Sequence, residues 1–114
     1  MADIIIYLVD FKYFGNGHYS NIVFDFQSEN DYIRFCSELN LEDGLNDDND
    51  GNFLIQISNV KSNKRLRRDS YYKLNLPLFK ELSSQSKVMS DSALFAYSFE
   101  FDNSNDRENY ILFE

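Results

Sequence analysis

Tryptophan is absent, and histidine, cysteine and proline occur once each, as His18, Cys36 and Pro77. One thiol excludes an internal disulfide framework, so a stapled secreted scaffold is not expected and a reducing compartment is the simpler reading. One imidazole and one thiol fall short of the three or four His/Cys ligands that zinc takes, so no metal or cofactor is expected. Cys36 sits on the apolar stripe of a predicted helix and His18 in a glycine-bearing turn, so they do not suggest a nucleophile with its base. Walker-type and GxGxxG phosphate loops are missing as well. The expectation is a protein without catalytic residues.

Long apolar runs are also lacking. The first, Ile4 to Val9, stops at Asp10, and no basic segment precedes it. It is too short for a membrane span or a secretory core, which predicts a soluble, cytoplasmic protein without membrane contact.

Positive charge is scarce: 11 Lys and Arg stand against 19 Asp and Glu, a formal net charge of −8. Five of those bases, Lys61, Lys64, Arg65, Arg67 and Arg68, crowd into eight residues. Outside that run 19 acids face six bases. Such a surface repels phosphate backbones and speeds association with a basic partner.

What is abundant is Phe and Tyr, eleven and eight of 114 residues. Aromatic usage of this kind suits packed sheet faces. A chain of this length forms one domain, residues 1–114, and buries roughly two thirds of the surface an unfolded chain exposes. No repeat or linker divides it.

The residues from Asp3 to Tyr13 are apolar at both parities, which predicts a central strand covered on both faces. Gly15-Asn16-Gly17 accepts positive φ and predicts a hairpin. Ser20 to Gln27 alternates, with Ile22, Phe24 and Phe26 on one face. Ser28 followed by Asp31 resembles a capping box and starts a helix near Glu29, with Tyr32, Phe35, Cys36 and Leu39 as its core stripe and Asn40 at its end. Phe53 to Ile57 reads as a strand, and Tyr71 to Leu76 as a weaker one paired with it across the basic run. Pro77 opens a short helix from Leu78 to about Gln85. Ser90-Asp91-Ser92 marks a loop, Ala93 to Asp102 a strand with one wet face, and Asn109 to Phe113 a last short strand. The predicted class is α+β: a mostly antiparallel sheet of five to six strands with two helices packed on one face.

Two stretches carry candidate binding chemistry. The turn from Leu41 to Gly51 holds Glu42, Asp43, Asp47, Asp48 and Asp50. An EF-hand register starting at Asn46 puts Ile57 where the loop needs a bidentate Glu, so calcium is not expected. With Glu100, Asp102, Asp106, Glu108 and the anchor Tyr110, these acids form the predicted surface for a basic protein partner. The most concrete expectation is an immunity protein or antitoxin that occludes a toxin nuclease, its carboxylates standing in for substrate phosphates. A phage-encoded DNA mimic of anti-restriction or anti-CRISPR type follows from the same electrostatics. The run Lys61, Lys64, Arg65, Arg67, Arg68, with Tyr71 and Tyr72 after it, supports a different alternative, a small RNA-contacting accessory protein. The negative remainder opposes a polyanion, so nucleic acid is not the expected partner.

Overall fold

The structure is a computed structural model that describes residues 4–41, 54–62, 64–83, 87–91, 95–101 and 112–114, with the backbone alone for 87–91, 95 and 96. Six strands form one mixed sheet: β1 (Ile4–Gly15), β2 (His18–Phe26), β3 (Ile55–Lys61), β4 (Ser70–Leu74), β5 (Lys87–Asp91) and β6 (Phe95–Glu100). Their order is β4-β1-β2-β3-β6-β5. β3 and β6 run parallel and every other neighbouring pair is antiparallel. Together with helices α1 (Glu29–Glu38) and α2 (Leu76–Ser83) this is the α+β class with a mostly antiparallel sheet.

β1 and β2 are joined through Asn16 and Gly17, both at positive φ (55° and 75°), the conformation a two-residue type I′ hairpin needs. The pairing slips three times along this hairpin, between Leu8 and Asp10, Lys12 and Tyr13, and Tyr13 and Gly15. Between Leu8 and Asp10 the partner advances by one residue, from Phe24 to Val23, leaving Val9 as the extra residue of a bulge. The face of β1 that carries Ile4, Ile6 and Leu8 therefore changes parity and continues through Phe11, packed against the core, to the exposed Tyr13. A second slip leaves Ser20 unpaired and brings Tyr19 opposite Tyr13. This corrects the expectation that β1 is covered on both faces. Ile5 and Tyr7 are only half-buried and Val9 is exposed, so the two apolar parities report a phase change rather than two cores.

The predicted α1 start holds: Ser28 Oγ accepts a hydrogen bond from Asp31 N at 3.2 Å. Its end is a Schellman motif, with Asn40 at φ 55°, Asn40 N donating to Ser37 O and Leu41 N to Cys36 O. Tyr32, Phe35 and Cys36 are buried, and Leu39 packs partly buried against them. Helix α2 begins at Leu76, two residues before the expected Leu78, because Asn75 Oδ1 accepts from Leu78 N and caps it. Pro77 thus sits in the first turn, where its missing N–H costs nothing.

Three further expectations are corrected. β3 runs on to Lys61, because β2 supplies partners as far as His18. Ser90 and Asp91, expected in a loop, belong instead to a strand, residues 87–91, paired with β6. β3 and β4 are not a hairpin: β4 pairs with β1 at the sheet edge, where Leu74 also bridges to Phe113. The expected strand residues 109–111 lie outside the described residues.

The core is aromatic. Phe79 of α2 meets Phe24, Phe35, Phe99 and Phe101 with ring centroids 5.2–6.5 Å apart, mostly edge to face. Phe35 of α1 also reaches Phe26 and Phe99. Phe79 is fully buried, so its truncation loses both transfer energy and packing around the hole. Phe79→Ala should lower unfolding free energy by about 3–5 kcal/mol in urea denaturation; a loss below about 1 kcal/mol would show that this ring does not hold the core.

Candidate functional site

The basic run crosses the hairpin instead of looping away from the sheet. β3 ends opposite His18 at the hairpin tip, whereas β4 begins opposite Leu8, so the connecting chain passes over the arm formed by residues 9–18. Its anchors explain the path. Ser62 N donates to Gly17 O at 2.8 Å, Leu66 N to the Tyr19 hydroxyl at 3.2 Å, and Asp69 N to Leu8 O at 2.8 Å. Tyr19 in turn donates to Lys64 O, and Arg67 N donates to the Tyr72 hydroxyl. Leu66, apolar within the run, is buried in the same core as Tyr19 and Val60.

The bases are consequently held in different ways. Arg68 Nε donates to Asp10 Oδ1 at 2.6 Å and a terminal nitrogen to Phe11 O at 2.9 Å, with its guanidinium carbon 4.4 Å from the Phe11 ring centre. Lys64 Nζ lies 5.5 Å from the Tyr72 ring centre. Lys61 is half-buried on β3. Arg65 and Arg67 are exposed, and among the described residues the Arg65 guanidinium has no hydrogen-bond or ionic partner.

Between the hairpin arm and the crossing segment lies a cleft of about 440 Å³. Phe11, Tyr13 and Tyr19 give it an aromatic wall, with Tyr19 4.9 Å from Tyr13 and 5.6 Å from Phe11 between ring centres. Lys64, Arg65 and the buried Ser62 form the opposite side. Ser62 Oγ accepts from Lys64 N at 3.1 Å, which fixes the turn that presents these bases. Gly17 closes one end: its N–H donates to the Tyr13 hydroxyl, and a Cβ there would stand 2.8 Å from Ser62 O.

Of the predicted acidic surface, Glu100 is described: it is exposed on β6, with Asn59 Nδ2 donating to it at 3.5 Å. Glu42, Asp43, Asp47, Asp48, Asp50, Asp102, Asp106, Glu108 and Tyr110 lie outside the described residues, as does most of the tested EF-hand register. Cys36 is buried, and His18 stacks on Phe14. Sequence reasoning overlooked the aromatic wall. A signal for it was present in three aromatics around a Gly-Asn-Gly turn, but that they face one side depends on the first two slips of register.

Two titrations report on the crossing segment. Asp10 is held below the usual carboxylate range, first by its hydrogen bond from Arg68 and then by the Phe11 N–H. Tyr7 is pushed up, first because it donates to Asp69 at 2.7 Å and its ionised form would lose that bond. No family model, curated protein or solved structure matches the chain. Among the described residues, no helix is long and apolar enough to cross a membrane and no group of three or more His, Cys, Asp or Glu could hold a metal ion.

A folded pKa below the unfolded one means that the Asp10 contribution is present above the unfolded value and lost as pH falls through the folded value. Arg68→Gln should return the Asp10 titration toward the ordinary carboxylate midpoint in carboxyl-detected NMR; an unmoved midpoint would clear the guanidinium as its cause. Gly17→Ala, strained at φ +75° and blocked by Ser62 O, should cost about 1–3 kcal/mol in chemical denaturation. A neutral result would mean the crossing segment is not seated on the hairpin.

Proposed function

We propose that this chain is a non-enzymatic binding protein that occupies a basic macromolecule, in its most concrete form an immunity protein or antitoxin that covers the active cleft of a toxin nuclease. One observation carries the reading, the segregation of charge. The hairpin arm and the crossing segment, residues 9–18 and 61–69, contain six bases and two acids, whereas the other 95 residues contain five bases and 17 acids. Hydrogen bonds from Ser62, Leu66 and Arg68 keep the basic segment on the arm, so its charge is tied to that end of the sheet. The remainder carries a net charge of −12, five bases less 17 acids, and is more strongly acidic than the whole.

A nuclease cleft lined by Lys and Arg is built to accept phosphates, and carboxylates at similar spacing present the same charge without a scissile bond. Unlike charges steer encounter, while packed contacts at the centre of the interface set dissociation. Asp47, Asp48 and Asp50, with Glu42, Asp43, Glu100, Asp102, Asp106 and Glu108, supply that charge, and Tyr110 an anchor.

Affinity purification from the native host at low salt should recover a basic, nucleic-acid-cleaving protein; an acidic partner would overturn the reading. With the partner in hand, its association rate should fall steeply with added salt and its dissociation rate much less. Replacing Asp47, Asp48 and Asp50 by Asn should slow association several-fold in stopped flow, and an unchanged rate would remove that turn from the interface.

A further inference from the structure

We infer that the cleft between the β1–β2 hairpin and the crossing segment binds a nucleoside phosphate. The inference is independent of the acidic surface, because it concerns the opposite charge at the basic end of the sheet. At about 440 Å³ the cleft falls within the roughly 300–1,000 Å³ typical of small-molecule sites. Its two sides supply different residues: Phe11, Tyr13 and Tyr19 from the hairpin, and Lys64 and Arg65 from the crossing segment. A planar base has a π-face for the first, and a phosphate has oxygens for the second.

The partners already assigned to each base show which are available. Arg68 is engaged by Asp10 and the Phe11 carbonyl, and Lys64 lies over Tyr72. Arg65 lines the cleft, is exposed, and has no ionic or hydrogen-bond partner among the described residues. A guanidinium in that position can take a phosphate in a two-point contact without breaking an existing pair. On the aromatic side Tyr13 is 52% exposed, so part of its surface is accessible to a ligand, whereas Tyr19 is buried.

Net charge limits the ligand's size. A duplex or long strand would run its phosphates beyond the basic end into the field of a chain at −8, which opposes it. A single nucleotide, free or at the end of a strand, keeps its phosphate beside Arg65. The site is thus one nucleotide in extent.

The test is titration of the isotopically labelled full chain with AMP, inorganic phosphate and a short 5′-phosphorylated single-stranded RNA, followed by amide shifts. AMP should move Tyr13, Tyr19 and Arg65 at millimolar concentration, and phosphate alone should bind about tenfold more weakly for want of stacking. Arg65→Gln, an exposed change that leaves the fold intact, should weaken AMP binding about tenfold, and Tyr13→Ala should do likewise. RNA binding tighter than AMP assigns the site to a strand end; binding no tighter assigns it to free nucleotide. No shift at the cleft residues, phosphate binding as tight as AMP, or AMP affinity unchanged in both variants would overturn the inference.

Discussion

The extra residue at Val9 governs how this chain uses its longest strand. A strand places alternate side chains on opposite faces, so one inserted residue exchanges the faces for everything that follows. Before Val9 the even positions Ile4, Ile6 and Leu8 enter the core. After it Phe11 and Tyr13 turn to that side, joined by Tyr19 after the matching slip at Ser20. Without the exchange, the hairpin arm would present Lys12 to the crossing segment in place of these rings, and Leu66 would have no aromatic surface to close upon.

That surface in turn resolves an electrostatic difficulty. Five bases in eight residues repel one another and are costly to hold in one place. The crossing segment relieves the repulsion at two positions by different means: Arg68 against Asp10 and the face of Phe11, Lys64 against Tyr72. The exposed ion pair contributes little by itself, because water and salt screen it and two long side chains must be ordered. The burial of Leu66 and the backbone bonds to Gly17, Tyr19 and Leu8 do more to seat the segment. Charge here is positioned by packing, and the ion pair follows.

The two functional readings rest on opposite signs of charge. An acidic remainder suits a cationic macromolecule, and a basic aromatic cleft suits one anionic, flat ligand. Both follow from the basic run lying on the hairpin. Had it formed a free loop between adjacent strands, its charge could have swung toward the acids and cancelled them.

Local patterns in the sequence determined the helices, the hairpin turn and much of the core. Ser28 with Asp31, the stripe Tyr32, Phe35, Cys36, and Asn16-Gly17 each act over a few residues, where backbone geometry and side-chain period leave few alternatives. The alternating strand expected over Ala93 to Asp102, found as Phe95–Glu100, was legible for the same reason. Strand order, the parallel pairing of β3 with β6, the register slips and the path of residues 62–69 were decided only in the tertiary structure. Each depends on which distant backbone supplies hydrogen-bond partners and which buried surface Leu66 and Tyr19 can share, and those are properties of the assembled sheet. The Lys/Arg run announced its charge in the sequence; the rings that make a cleft of it were brought there by the fold.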